Sequence, residues 1–305
     1  MDMQVIINQM IVLFILLGLG YFAGKINLLT AEGVKALSKV VLNITMPCTI
    51  LNSVINGELN TTAGEMAYFA FISLMAVIVP LIVVIPAVRV LGGDKNKHGI
   101  YRYLAAFGNV ANMGFPVTMA ILGAISAFYV AIFNIPYILI CYSIGALMVS
   151  GKTGKFDIKI LLNPSLIAGI AIVLIVLTGF EAPGIIANPI MLVHGITTPG
   201  AMLIIGASLA RISFKDTLSD WRLYAVVLFK LILMPVIIWL IFRQIVSNEL
   251  MLGVLVILSG MASGAMATIF AIEYGGDEHV ASSGVFLTTL LSGITIPLIV
   301  FLLLA

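Results

Sequence analysis

Gly108-Asn-Val-Ala-Asn-Met-Gly-Phe-Pro116 interrupts an apolar segment that is otherwise long enough to cross a membrane as a helix. Glycine and proline disfavour a helix interior, and asparagine side chains compete for its backbone hydrogen bonds. Inside a bilayer, non-helical backbone is tolerated only where protein or a water-filled cavity satisfies the freed N–H and C=O groups. The stretch therefore predicts a broken membrane helix with a binding site beside it, as in transporters.

The composition identifies the environment of the chain. Hydrophobic residues make up 62% of the 305 residues and charged residues 9%, whereas soluble proteins contain about 25% charged residues. We therefore expect an integral membrane protein in contact with the lipid bilayer, and the net charge of +2 gives no indication of a nucleic-acid partner. Cys48 and Cys141 both lie in apolar segments, so the sequence predicts no disulfide framework, no metal site and no cofactor.

Apolar runs of about 20 residues, the length that spans the hydrocarbon core, occur ten times along the chain. The sequence thus predicts an all-α integral membrane protein with ten transmembrane helices. These spans lie near residues 5–24, 33–55, 65–90, 102–125, 127–149, 162–180, 187–210, 221–246, 250–273 and 279–304.

The basic residues are concentrated in alternate connections between the spans. Of the 15 lysines and arginines, all but Lys230 and Arg243 flank the first, third, fifth and seventh connections. The positive-inside rule places those connections in the cytoplasm. We therefore expect a multi-pass protein of the cell (inner or plasma) membrane with both termini on the extracytoplasmic side.

The two halves of the chain resemble each other. Ile44-Thr45-Met46-Pro47 in the second span reappears as Ile196-Thr197-Thr198-Pro199 in the seventh, 152 residues later. The same offset carries the break at Gly108–Pro116 onto Gly260–Thr268 in the ninth span. Repeats of five spans insert in opposite orientations, so we predict two inverted five-helix repeats, residues 1–150 and 151–305, with crossed broken helices 4 and 9.

Two crossed, broken helices bring together the positive N-terminal and negative C-terminal ends of four half-helices. Exposed N–H groups at such a point attract a carboxylate, and asparagine amides add donors and acceptors. The candidate substrate-binding residues at the breaks are Asn109, Asn112, Gly114, Pro116, Ser263, Gly264 and Thr268. The alternative is that these small and polar residues only allow tight packing between helices.

Lys230 is predicted near the middle of the eighth span, where a charged lysine costs about 2.5–3.5 kcal/mol. The acidic residues fall in connections or near span ends, so none is placed to neutralise it. Lys230 therefore contributes to substrate-anion binding, lies against the carbonyl end of a broken helix, or is neutral and carries a proton. The same lack of a membrane carboxylate argues against a sodium/proton antiporter.

Three further polar residues lie close to proline-containing segments. Thr45 and Thr197 precede Pro47 and Pro199 by two residues, and their hydroxyls either contribute to substrate binding or bond their own backbone at a kink. His194 is the candidate for proton coupling, since imidazole titrates near physiological pH. The alternative is a packed, hydrogen-bonded histidine.

The ten spans, the Asn-x-x-Asn-x-Gly-Phe-Pro pattern from Asn109 to Pro116 and the Tyr274-Gly-Gly-Asp277 loop resemble the auxin efflux carrier family. That family includes plant PIN proteins and bacterial malonate and malate permeases. The resemblance implies a scaffold of spans 1, 2, 6 and 7 and a transport domain of spans 3–5 and 8–10. It also implies transport of organic acid anions and a homodimer.

The sequence and this resemblance together predict a secondary-active transporter of small organic acid anions, such as malate, malonate or auxin-like acids. It would work by alternating access, with an elevator-type movement of the transport domain past the scaffold. A membrane receptor that binds an organic anion without moving it is the alternative. We do not expect an enzyme, because there is no His–Glu metal motif, no pair of intramembrane aspartates and no serine–histidine pair at matching depth.

Overall fold

The computed structural model describes residues 3–55, 61–90, 92, 94, 97–150, 162–180, 182–211 and 220–304. The helices are α1 (Met3–Lys25), α2 (Ala31–Ile55), α3 (Ala63–Val90), α4 (His98–Ala106), α5 (Val110–Leu122), α6 (Ser126–Ser150), α7 (Pro164–Thr178), α8 (Gly184–Leu209), α9 (Trp221–Phe242), α10 (Glu249–Ser259), α11 (Met266–Tyr274) and α12 (Glu278–Leu304). Seven of them, α1, α2, α3, α6, α8, α9 and α12, are long and apolar enough to cross a membrane. Helices α5, α7 and α10 are apolar but shorter.

The helices confirm the prediction of an all-α membrane protein. Seven predicted spans correspond to the seven long helices, and the predicted sixth span corresponds to α7. The fourth and ninth predicted spans are each divided in two, α4 with α5 and α10 with α11. The count of ten crossings and the inverted relation of the halves stay predictions. The predicted boundary after residue 150 adjoins residues 151–161, which lie outside the described part of the chain.

Side-chain caps fix where several of the helices begin. Thr30 accepts a hydrogen bond from the Gly33 N–H at the start of α2, and Asp220 accepts one from the Arg222 N–H at the start of α9. Asn163 caps α7, whose first residue is Pro164. A proline fits there because the first N–H of a helix has no intrahelical partner.

Three helices widen into a π-helical turn immediately before a proline. The turns are Val41–Thr45 in α2, Val110–Gly114 in α5 and Phe229–Leu233 in α9, and the prolines are Pro47, Pro116 and Pro235. In each case the residue before the proline donates its N–H to the carbonyl five residues earlier. A proline inside a regular helix clashes with the carbonyl four residues before it, so the wider turn lets the helix continue through the proline.

The Tyr274-Gly-Gly-Asp277 loop joins α11 to α12 and is held by an ion pair. Gly275 ends α11 in the left-handed conformation, with φ 72°. Asp277 accepts a hydrogen bond from the Val280 N–H and lies 3.0 Å from Lys97 Nζ. Burial alone would raise the pKa of Asp277, but the Val280 N–H and the Lys97 ammonium lower it below its usual value. The carboxylate therefore stays charged and ties the start of α4 to the start of α12.

The helices pack in two recognisable sets. Helix α1 packs along α8, and α2 packs against α7 and α8. Helix α3 packs against α4 and α6, while α12 packs against α9 and α11. Contacts of α6 with α7 and of α1 with α5 join the two sets.

Helices α1 and α8 approach each other with their backbones in close contact. A Cβ atom built on Gly20 would lie 2.5 Å from the Leu203 carbonyl oxygen. A Cβ built on Gly206 would overlap the Leu17 carbonyl oxygen and lie 2.6 Å from the Tyr21 nitrogen. Small residues let membrane helices pack this closely, so these glycines set the distance between α1 and α8.

Replacement of Gly206 by alanine is therefore expected to lower the free energy of unfolding by about 1–3 kcal/mol, as overpacking does in other proteins. Thermal unfolding of the purified protein in detergent measures the effect. Gly18→Ala is the matched control, because a Cβ on Gly18 meets nothing within 4 Å. Equal melting temperatures for the two variants would contradict the prediction.

Candidate functional site

The two breaks meet, and the segments that pair there are Phe107–Asn109 and Ala262–Gly264, which we call the crossing. They run antiparallel, with Gly108 opposite Ser263. The Asn109 N–H donates to the Ala262 carbonyl at 2.7 Å. The Gly264 N–H donates to the Phe107 carbonyl at 3.2 Å. Backbone groups that neither broken helix satisfies internally are thus satisfied across the crossing.

Side chains satisfy further polar backbone groups at the crossing. The Ser263 hydroxyl donates to the Leu104 carbonyl of α4 at 2.7 Å, and the Ser263 N–H donates to the Thr288 hydroxyl of α12 at 3.0 Å. The Tyr137 hydroxyl of α6 donates to the Gly108 carbonyl. Ser263 is fully buried, and its two hydrogen bonds join the second break to α4 and α12.

Glycines at the crossing permit these close approaches. A Cβ built on Gly264 would lie 3.2 Å from the Gly108 carbonyl oxygen, and one on Gly108 would lie 3.3 Å from Lys230 Nζ. A Cβ on Gly114 in α5 would lie 2.7 Å from Leu258 Cδ2 of α10. Larger residues would therefore push the broken helices apart.

Lys230 reaches the crossing from α9 and contacts the carbonyl ends of two half-helices. Its ammonium donates to the Ser259 carbonyl at the end of α10 at 3.0 Å and to the Ala106 carbonyl at the end of α4 at 3.5 Å. The side chain is 2% exposed, and within the described residues no carboxylate pairs with it. These contacts correspond to the second of the three roles considered for Lys230, a cation against helix C-terminal ends.

A cavity of about 380 Å³ opens beside the crossing, and Lys230 is not part of its wall. Gly108, Asn109, Asn112 and Gly264 of the two breaks line it, together with residues of α2, α6 and α7. The polar and charged residues contributed by other parts of the chain are Lys35, Ser38, Lys39, Asn43, Tyr103, Asn134, Tyr137, Cys141, Tyr142, Asn163 and Ser165. No aspartate or glutamate is found among the described lining residues.

Two half-helices begin at the cavity wall. The first residues of α5 and α11, Val110 and Met266, both line the cavity. Asn109 caps α5, since its Oδ1 accepts a hydrogen bond from the Asn112 N–H at 3.2 Å. Asn112 Oδ1 is buried and has no protein partner. Two positive helix ends and several side-chain amides thus line a space whose described wall holds no carboxylate, and the N–H donors of such ends and amides suit an anion.

The structure brings three of the predicted substrate-binding residues to the cavity, namely Asn109, Asn112 and Gly264. The other candidates at the breaks lie elsewhere. Gly114 and Pro116 are buried inside the protein within α5, and Ser263 bonds to neighbouring helices. Thr268 is half-buried in α11 and is not part of the cavity lining.

The remaining candidates lie in α2 and α8, away from the cavity lining. Thr45 donates to its own helix at the Val41 carbonyl, 3.3 Å away. The hydroxyls of Thr197 and Thr49 are hydrogen-bonded at 2.7 Å, which joins α8 to α2. His194 in α8 has a buried Nδ1 without a protein partner. Roles for these residues in binding or proton coupling stay predictions.

Sequence reasoning missed several lining residues. Asn134 is 3% exposed and lines the cavity from α6. A signal for it existed, because a lone amide in the apolar run Ser126–Ile140 is expensive in a membrane unless it has a function. Tyr137 carried no comparable signal. The sequence marks Lys35 and Lys39 only as indicators of orientation in the membrane.

A crossing of two broken helices beside a cavity, in a bundle of apolar helices, defines the class of membrane transport proteins. The family model described as "Membrane transport protein" matches residues 5–300. An uncharacterized transporter of Methanocaldococcus jannaschii is 24% identical over 303 residues, which cover 95% of this chain and 96% of that protein. An uncharacterized transporter of Methanothermobacter thermautotrophicus is 25% identical over 287 residues, covering 93% and 94% of the two chains.

The chain therefore belongs to the membrane transport protein family, the auxin efflux carrier family that its sequence resembles. Membership in a transporter family fits the expectation that the protein is not an enzyme. It also confirms a multi-pass protein that works in a lipid bilayer on a transported substrate.

Lys230→Met tests the contacts behind the crossing. It removes the donor to the carbonyls of Ser259 and Ala106, and a buried acceptor that loses its charged partner costs about 1–3 kcal/mol. We expect a lower melting temperature in detergent for Lys230→Met than for wild type. Lys25→Met serves as the control, because Lys25 is exposed at the end of α1. An unchanged melting temperature for Lys230→Met would contradict the structural role.

Proposed function

We propose that the protein is a secondary-active transporter of small organic acid anions, with the carboxylate bound at the cavity side of the crossing. The observation that carries this proposal is the cavity wall itself. The N-terminal ends of α5 and α11 and the amides of Asn109, Asn112 and Asn134 line it, and its described residues include no carboxylate. N–H donors at helix N-termini bind carboxylates without an opposing charge.

Within this proposal each residue at the crossing has a separate task. Asn109 Oδ1 is occupied in capping α5, which leaves its side-chain NH2 to donate to a carboxylate oxygen. Asn112 contributes a second amide one turn further along α5. Gly264 has no side chain, so the ligand can approach the backbone at the start of α11. Lys230 lies behind Gly108 and lowers the cost of the bound negative charge through space.

Transport by alternating access requires one set of helices to move past another. We propose ten membrane crossings in two inverted repeats, with α1, α2, α7 and α8 as the scaffold and the remaining helices as an elevator-type transport domain. The close glycine packing of α1 on α8 and the Thr49–Thr197 hydrogen bond between α2 and α8 support a rigid scaffold. The crossing belongs wholly to the other set, so substrate and site would move together.

The proposal extends to the assembly and its location. The family resemblance implies a homodimer in the cell membrane. The cavity would lie on the cytoplasmic side in this conformation, because Lys35 and Lys39 line it. Lys35 and Lys39 flank the first connection, which the positive-inside rule assigns to the cytoplasm.

The experiment is uptake of labelled malate, malonate and an aromatic acid into proteoliposomes that contain wild type, Asn109→Ala or Asn112→Ala. A hydrogen bond to a charged group contributes about 1.5–3 kcal/mol, so each variant is expected to lose roughly ten- to hundredfold in kcat/KM. Asn188→Ala is the control, since Asn188 is exposed on α8 and outside the cavity. Wild-type uptake that both crossing variants retain would remove the crossing from the substrate site. Wild-type binding without flux would identify a receptor instead of a transporter.

A further inference from the structure

The cavity extends from the crossing to two lysines on α2. Lys35 and Lys39 lie one helical turn apart, and Asn43 follows one turn later on the same face. All three line the cavity. Asn43 Nδ2 donates to the Lys39 carbonyl at 2.8 Å, which keeps that amide on the cavity face of α2. Lys35 and Lys39 are exposed, whereas Asn109 and Asn112 at the crossing are partly buried.

Neither lysine is neutralised by the part of the chain that the structure describes. The ion pairs found there are Lys97 with Asp277 and Arg222 with Asp220. Glu32 is on the same helix as Lys35 but does not line the cavity. The two positive charges therefore act on the space between α2 and the crossing without a compensating carboxylate in the described wall.

We infer that Lys35 and Lys39 form a second anion subsite at the mouth of the cavity, which captures the carboxylate substrate before it reaches the crossing. This inference rests on the proposed function and adds a capture step to it. The ligand class is an organic acid anion, attracted first by two exposed ammonium groups and then bound by the partly buried amide and backbone donors at the crossing. The subsite acts from one side of the membrane only.

Membrane orientation alone explains why basic residues lie at this end of α2, but not why they line a cavity. Lys25 is an exposed basic residue that flanks the same predicted connection, and it lies outside the cavity. Its ammonium lies 5.5 Å from the centre of the Tyr21 ring. Lys25 therefore indicates the same membrane orientation as Lys35 and Lys39 but does not line the cavity. It is the matched control for this reason.

Attraction by exposed charges has a physical signature. Such charges act over a Debye length of about 8 Å at physiological ionic strength and are screened in strong salt. Clefts lined by one sign of charge raise association rates by roughly 10- to 1,000-fold when they are focused well. A capture subsite thus affects the KM for the anion at low salt and leaves the maximal rate, which is set after binding, nearly unchanged.

The test measures initial uptake of labelled malate, malonate and an aromatic acid in proteoliposomes of neutral phosphatidylcholine. The variants are Lys35→Gln with Lys39→Gln, the same two positions changed to arginine, and Lys25→Gln. With the anion presented to the lysine side at about 20 mM salt, the double glutamine variant is expected to show a KM roughly five- to tenfold above wild type. At about 500 mM salt the difference should fall below about twofold. The arginine pair and Lys25→Gln should match wild type.

The outcomes separate this inference from the proposed function. Wild-type flux together with an unchanged KM and salt dependence in the double glutamine variant overturns the subsite and leaves the transporter intact. An equal rise in KM when the anion is presented from the opposite side also overturns it, because a mouth subsite is one-sided. Loss of flux in both the glutamine and the arginine pair shows a packing role and overturns the role of charge. A wild type that carries none of these acids overturns both proposals.

Discussion

The structure depends on the antiparallel pairing of Phe107–Asn109 with Ala262–Gly264. An unsatisfied backbone group in a bilayer costs several kcal/mol, so the groups freed where the two helices break need partners. Each break supplies partners to the other: the Asn109 N–H donates to the Ala262 carbonyl, and the Gly264 N–H donates to the Phe107 carbonyl. Small residues at Gly108 and Gly264 suit this geometry, because a Cβ on either would lie 3.2 Å from its nearest neighbour. The pairing also fixes the directions in which the four half-helices leave the crossing.

Because of those directions, the negative helix ends lie on one side of the crossing and the positive helix ends on the other. The carbonyl ends of α4 and α10 both reach Lys230, while the N-terminal ends of α5 and α11 both line the cavity. The lysine neutralises the negative helix ends at the cost of its own burial, and the positive ends remain available on the cavity side. The backbone of Gly108 thus lies between the Lys230 ammonium and the cavity. Within the described residues the carbonyl ends of two helices, and not a carboxylate, are the partners of this buried lysine.

The sequence predicted the breaks but not their register. Glycine, asparagine and proline predicted the first break and the internal offset predicted the second, but an offset between repeats does not say which residues pair across the crossing. The structure pairs Gly108 with Ser263, because hydrogen bonding across the crossing is decided by how the half-helices approach in space. For the same reason the sequence left three roles open for Lys230: choosing among them requires knowing which helix ends its ammonium reaches. Asn134 could have been found as a costly amide in an apolar helix, whereas the position of Lys35 and Lys39 on a cavity depends on tertiary packing.

The polar groups of the two breaks have different partners. Ser263 holds the second break to α4 through its hydroxyl and to α12 through its N–H, so its polar groups are already used. The first break keeps amides at the cavity, and the π-helical turn that follows Asn109 lets α5 continue through Pro116. A similar turn before Pro235 contains Lys230. The extra residue of such a turn rotates the side chains that follow it relative to those before it. Pro116 and Pro235 thus shape the helical turns that carry Asn112 and Lys230, and the second break, bonded to α4 and α12 through Ser263, packs against them.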